Sequence, residues 1–549
     1  MALIIPLGPQ VKIGVRIGYA KAPNAKMVVM SLSNAAASVD CDQVNYPATW
    51  IATDVDSADS PAGYTATISM SELSELTTYP YTVTQGANTV TGSFYTLPGE
   101  ADDFCFYALT CDAEAYVSGG NTDGEGVYKN IRDRIAIDPL PCVGILHLDD
   151  HGYNSARRFT SAAAVGLAAS TPATLNTAYA FSAAWLNFYG LHAEGSGDSG
   201  FGESTAFTTT ANIDIGRSPN RVWCMQNLPV WPQWGDWEFA NDIGMDFPTS
   251  DPAGVAGNPY HKTYSGTVGQ KDGGGYLAWQ KFMAPLQPPL LNASNGNAWA
   301  FNLGCIRVIS VDGVTNCNGA ISYYGPNNPN GILLDDTEGV TQVTSMLGSG
   351  QVADILAAVD PNMQFTIIGL MNGVRYMGKL NSEFSTGTQH PIKNHCPAEF
   401  NALFSDVGSL ADKPSTNNTR GITFTFNGDY HNGHIYHHQI TDGVLPVDFY
   451  EIGLGTVTAS YNPTPEGVST PLGSAFKGST IEYLDYLTGG EGAHKAWGVK
   501  VSVYGSKAFK EVVIELFSTT ETLWSAKFIG QVGNNKFATD FVVPKLQPK

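Results

Sequence analysis

Positive charge is scarce in this chain. Only 29 Lys and Arg stand against 50 Asp and Glu, a formal charge of -21, and charged residues make up just 14% of the 549. A field of that sign repels phosphate backbones and anionic lipid, which excludes a non-specific binder of nucleic acid or of a membrane surface. Long apolar runs are missing as well. Nothing approaches the ~20 residues of a bilayer span, and the first segment, MALIIPLGPQVKIGV, lacks a basic flank and is broken by Pro6 and Gly8, so it is not expected to act as a secretory signal. The eight cysteines, at 41, 105, 111, 142, 224, 305, 317 and 396, form no CxxC pair and are too sparse for a disulfide-stapled scaffold, which leaves the redox compartment open. Neither a Gly-x-Ser-x-Gly elbow nor a P-loop is present, so the chain does not advertise a serine nucleophile or a nucleotide cradle.

What is present suffices for substantial cores: 43% of residues are hydrophobic and 11% aromatic, which excludes global disorder. The length suggests a small domain followed by a large one. Residues 10 to 97 read as short strands, KIGVRIGYA, KMVVMSL, YTATISM, YPYTVTQG and TVTGSFYTL, separated by Gly, Asn, Pro and Ser. That pattern predicts a small all-β sandwich over 1–98, ending at Pro98 and Gly99. The run LTTYPYTV, with two alternate tyrosines, resembles the late strands of a fibronectin type III or immunoglobulin-like domain.

Residues 99–549 change pattern. FCFYALT (104–110), VGILHL (143–148), IRVISVD (306–312), FTIIGLM (365–371) and ITFTFNG (422–428) are continuous apolar runs, as expected for strands covered on both faces. Helical spacing appears over 341–359 and through much of 160–188, so the second domain is expected to be an α/β sandwich. The Gly-, Ser- and aromatic-rich stretch 190–300 reads as long functional loops, and 496–543 as a β extension.

Ligands collect where parallel strands end, and here those ends carry metal-competent side chains. ALTCD offers Cys111 and Asp112, and LHLDDHGY offers Asp149, Asp150, His151 and Tyr153. The turn QWGDWEFAND offers Asp236, Glu238, Asn241 and Asp242, and NGDYHNGHIYHH offers Asp429, His431, His434, His437 and His438. Taken singly, each has a plainer reading as a buried cysteine, a turn aspartate or a solvated loop.

In order and rough spacing these blocks resemble the alkaline phosphatase D-like branch of the metallophosphoesterases. Leu109-Thr110-Cys111 matches the family's first strand end, His147-Leu148-Asp149-Asp150-His151-Gly152-Tyr153 its His-Leu-Gly-Asp-x-x-Tyr block, and Trp234-Gly235-Asp236-Trp237-Glu238 its Trp-Asp-Asp-His block. FNLGCIRVISVDG matches a strand with an Asp-centred turn, MLGSGQVADIL a Leu-Gly-x-x-Gln helix, and Gly428-Asp429-Tyr430-His431 the final Gly-Asp-x-His. The resemblance implies a ferric ion (Fe3+) held by Cys111, Asp150, Tyr153 and His431. It implies a second divalent ion, calcium (Ca2+), shared by Asp150 with Asp236 and Asp429. Thiolate, carboxylate and phenolate together suit a hard trivalent ion. The implied activity is hydrolysis of a phosphomonoester or phosphodiester substrate, with Asp236, His151 and His434 as the catalytic candidates.

Two departures weaken that expectation. Trp237 replaces the histidine that the family sets beside the leaving group, and the family's Arg is absent from Asp312-Gly313-Val314. An indole cannot protonate an alkoxide. A second reading therefore stands beside the first: a virion or surface-assembly protein, such as a phage tail or capsid-attached component, that reuses the fold and docks to partners through its N-terminal domain. It fits an extracellular or virion location without an attached signal, with the cytoplasm as the alternative. A third, in which Trp231, Trp234 and Trp237 stack on sugars, ranks last.

Overall fold

The computed structural model describes residues 13–53, 61, 63–112, 123–148, 151, 182, 185–186, 191, 219–235, 274–316, 345–371, 396–410, 422–428, 434–440, 444–445, 447–454, 479–484, 498–518 and 522–531. Among the described residues the N-terminal part contains eight strands: β1 (Ile13–Lys21), β2 (Asn24–Ser31), β3 (Ala37–Cys41), β4 (Val44–Pro47), β5 (Ile51–Ala52), β6 (Tyr64–Met70), β7 (Thr78–Gln85) and β8 (Asn88–Tyr95). They form two antiparallel sheets, ordered β1-β2-β6-β5 and β4-β3-β7-β8. Alternation puts Val15, Ile17, Met27, Ile68, Tyr79, Tyr81 and Val83 into one core between the sheets. Tyr79 is the inward plug and its hydroxyl accepts a bond from the Ser74 N–H at 2.7 Å.

Beyond this sandwich, β9 (Phe104–Thr110), α1 (Asp123–Ile137), β10 (Cys142–Leu148), α2 (Pro219–Asn227) and β11 (Val230–Pro232) begin a second unit. After α3 (Gly274–Phe282) come β12 (Trp299–Leu303) and β13 (Ile306–Ser310), then α4 (Gly348–Ala358), β14 (Phe365–Leu370), α5 (Pro397–Phe404) and β15 (Ile422–Asn427). The chain continues through β16 (His434–Ile440), β17 (Val447–Gly453), β18 (Ser479–Leu484), β19 (Gly498–Ser506), β20 (Phe509–Phe517) and β21 (Thr522–Gln531). Two mixed sheets result, β11-β10-β9-β19-β20-β21 and β12-β13-β14-β15-β17-β16-β18.

The continuous apolar runs are explained by burial on both faces. In β9, Phe104, Phe106 and Ala108 enter the core between the sheets, while Cys105, Tyr107 and Leu109 meet α1 and α2 on the outer side. In β14, Phe365 and Ile367 face inward, whereas Ile368 and Leu370 pack with residues of α3, α4 and α5. The order is therefore helices, sheet, sheet, helices, an α/β sandwich with mixed rather than purely parallel sheets.

Some expectations need correction. The described parts of 190–300 are not loops throughout, because α2, β11 and α3 lie within them. The described part of the histidine-rich segment is not a loop either: His434, His437 and His438 belong to β16, paired with β17 and β18. Most of the helix expected over 160–188 lies outside the described residues. No helix among the described residues is long and apolar enough to cross a membrane.

The sandwich packs directly on the second unit. Gly18 of β1 lies against the turn Ala284–Leu286, so close that a Cβ there would sit 2.4 Å from Leu286 Cα. Arg16 donates to Met283 Sδ at 3.2 Å and the Tyr81 hydroxyl donates to the Gln226 carbonyl at 2.6 Å. Gly18→Ala is therefore expected to cost about 1 to 3 kcal/mol through overpacking. Thermal unfolding with limited proteolysis around Pro98 would check it, and an unchanged melting temperature would contradict the contact.

Candidate metal centre

The strand ends that carry the sequence motifs meet along one edge. Leu148 pairs with Thr110, aligning the ends of β10 and β9. Gln233, directly after β11, donates its backbone N–H to the His147 carbonyl at 2.9 Å. Its side-chain amide reaches across to the opposite sheet, donating to the Val311 carbonyl at 2.6 Å and the Gly369 carbonyl at 2.9 Å. Leu370 pairs with Asn427, and the Gly428 N–H donates to the Leu370 carbonyl, which adds the end of β15. Parallel pairing explains why these ends share an edge, and Gln233 explains why the two sheets share it.

Of the six predicted ligands, Cys111 is described. Asp150, Tyr153, Asp236, Asp429 and His431 lie outside the described residues, as do Asp149, Trp237, Glu238, Asn241 and Asp242. Cys111 is buried immediately after β9, with its Sγ 3.2 Å from Thr110 Oγ1. Its φ of 53° lies in the left-handed region, which a residue with a Cβ rarely adopts. Among the described residues there is no group of three or more His, Cys, Asp or Glu placed to hold a metal ion. The fit of a metal therefore rests on the donor chemistry of one buried thiol and on the anionic residues that succeed the neighbouring strands in the sequence.

The other described candidates have structural duties. Asp112 is fully buried and engaged by the Tyr128 hydroxyl and by Arg221. Asp312 is the centre of its turn: Oδ1 accepts from the Val314 and Thr315 N–H groups, and Oδ2 from the Asn297 N–H and the Thr315 hydroxyl. His151 is buried, stacked on His147 at 3.8 Å and edge-on to Trp279. Burial, then the nearby His147 and Arg16, hold it well below the usual imidazole range. His438 sits 2.5 Å from Glu451 Oε2 and against Phe449, a buried pair rather than an open ligand. The position of the His434 strand is described, its side chain is not.

One polar feature escaped the sequence reading. Asn427 and Thr425 occupy alternate positions of β15, fully buried, and neither the Asn427 carboxamide nor the Thr425 hydroxyl has a hydrogen-bond partner among the described residues. Such orphans are uncommon and mark strain, water or a ligand. The available signal was the polar alternation within ITFTFN, just before Gly428-Asp429.

No family model matches the chain, and no curated protein matches its sequence. In architecture it is a layered α/β sandwich with mixed sheets. Among solved structures it is similar to that of PhoD, alkaline phosphatase D, with a TM-score of 0.56 and 12% identity over 97% of this chain and 92% of that one. At that identity the likeness shows the fold alone.

Proposed function

We propose that this chain is a metal-dependent phosphoesterase acting on phosphomonoesters or phosphodiesters. The observation that carries the reading is the convergence of the ends of β9, β10, β11, β13, β14 and β15, with Cys111 buried at the first of them. Cys111, Asp150, Tyr153 and His431 would hold a ferric ion; Asp150, Asp236 and Asp429 would hold calcium. When bound, the ions supply Lewis-acid activation of water and of the phosphoester. The chain's part is to bring the strand ends that precede those donors to one edge, to keep the thiol away from solvent, and to fix the first strand end through Thr110 and Cys111.

By the resemblance, Trp237 would leave the position beside the leaving group without a proton donor. Protonation of the leaving group is worth ~10²- to 10⁴-fold, so its loss falls on esters whose alkoxide needs a proton. The protein is expected to hydrolyse p-nitrophenyl phosphodiesters well and alkyl esters poorly. Trp237→His should raise the alkyl rate by at least about tenfold and the aryl rate much less. Elemental analysis and both assays on the purified chain test the reading: a folded protein that takes up neither iron nor calcium and turns over neither ester disproves it.

A further inference from the structure

The opposite end of the β9–β10 pair, where the two strands begin, carries a cluster that the proposed centre does not use. Cys105 of β9 and Cys142 of β10 are direct partners in the parallel ladder, and both are buried. Adjacent strands run about 4.8 Å apart, inside the roughly 4.4 to 6.8 Å between Cα atoms that a disulfide spans. Both cysteines pack with Tyr107 and Leu109 under α1 and α2, on the outer face of the sheet. The two thiols are hydrogen-bonded to each other. Burial, followed by that bond, pushes the Cys142 thiol well above its usual range, so Cys142 keeps its proton and donates to the Cys105 sulfur.

Polar side chains surround the pair. Lys500 and Ser502 of β19 stand opposite Tyr107 and Cys105, and the Lys500 ammonium, paired with Asp138, interacts with the Cys105 sulfur. A cation beside a sulfur is the common setting of redox-active cysteines. The side chains of Lys500 and Asp138, each 9% exposed, form the cluster's side toward solvent. The Tyr107 hydroxyl is fully buried, interacts with both sulfurs, and has no hydrogen-bond partner among the described residues. Burial, then the Cys142 and Cys105 thiols, hold it above the ordinary phenol range, so it remains an O–H donor. A buried donor of this kind calls for a water or a ligand, and an oxygen bound to either sulfur would accept from it. Packing alone accounts for two buried thiols. It does not account for a phenol left unpaired beside them.

We propose that Cys105 and Cys142 are a redox-active dithiol that reduces hydroperoxides and closes to a disulfide, with the Tyr107 hydroxyl holding the reacting oxygen. The Cys105 sulfur attacks the peroxide: an S–O bond forms, the O–O bond breaks, and the alcohol or water that leaves takes the thiol's proton. The Cys142 sulfur then attacks Cys105; the S–S bond forms, the S–O bond breaks, and the hydroxyl leaves as water with the Cys142 proton. The two thiols lose two electrons and the peroxide gains them. The test treats the full chain with hydrogen peroxide, blocks the remaining thiols with N-ethylmaleimide under denaturing conditions, and maps unreduced peptides by mass spectrometry. Peptides joined through Cys105 and Cys142, and separated by dithiothreitol, are expected before any other cysteine is modified. Cys142→Ser should stop at a Cys105 sulfenic acid that dimedone captures. Tyr107→Phe should slow Cys105 oxidation about three- to tenfold, the effect of one hydrogen bond. Cys305→Ala, in the separate core between the sheets, should keep the wild-type rate. Cys105 and Cys142 both left alkylated while other cysteines oxidise overturns the proposal, and that map needs only the wild type. A joined pair that forms at an unchanged rate in Tyr107→Phe overturns the phenol's part alone.

Discussion

Glu399→Ala should lower the unfolding free energy by about 3 to 5 kcal/mol, because it strips the partner from several buried donors at once. Oε1 accepts from the Ser345 hydroxyl at 2.6 Å and the Gly348 N–H at 2.9 Å; Oε2 accepts from the Met346 and Leu347 N–H groups, each at 3.0 Å. Those donors lead into α4, where free N–H groups and the helix dipole favour a negative charge. No water can replace the carboxylate cheaply, since Met346 and Leu347 are themselves buried. The loss would spread: Gln351 of α4 donates to the Asp312 carbonyl and accepts from the Asp312 N–H, so loosening α4 also loosens the turn after β13. Glu399→Gln keeps one acceptor oxygen but turns an NH₂ toward N–H donors, so it should fall between. Urea titrations of the three proteins would decide the matter, and an alanine variant within about 1 kcal/mol of wild type would show that the cradle relaxes.

This cradle was invisible in the sequence, and the reason is general to the fold. Its donors and its carboxylate come from separate segments, and nothing in SMLGSGQ or CPAEF announces the pairing. The same holds for Asp112, just after β9, and Arg221 of α2, joined because α2 packs on the outer face of β9. By contrast β9, β10, β13, β14 and β15 were legible, since burial on both faces turns the whole strand apolar. β11 was too short to read at Val230–Pro232, and β16 was hidden by its own chemistry: HIYHHQI looks like a ligand cluster, yet it pairs as a strand with β17 and β18. In the candidate centre, the sequence motifs follow strand ends that share one edge. Their order could not tell that Asp112 and Asp312 are committed to hydrogen bonds, or that His151 is buried against His147.

Cys111 is where stability and the proposed chemistry pull apart, and substitution there should separate them. Cys111→Gly relieves a left-handed backbone worth ~1 to 2 kcal/mol, but adds roughly 0.5 to 1 kcal/mol of unfolded-state entropy and removes a small buried side chain. These terms nearly cancel, so the glycine variant should unfold within about 1 kcal/mol of wild type. Cys111→Val should be clearly less stable, because a β-branched residue tolerates positive φ poorly. Iron uptake and phosphodiester hydrolysis should fail in both, by at least about a hundredfold, since a lost ligand exceeds the roughly 10- to 100-fold cost of a lost supporting contact. Circular dichroism with elemental analysis distinguishes the outcomes. If the glycine variant gains several kcal/mol and keeps its iron, the thiol is a packing residue held under strain for no chemical reason. If it folds like wild type and loses the iron, the strain at Cys111 is the cost of presenting a sulfur where a glycine would otherwise stand.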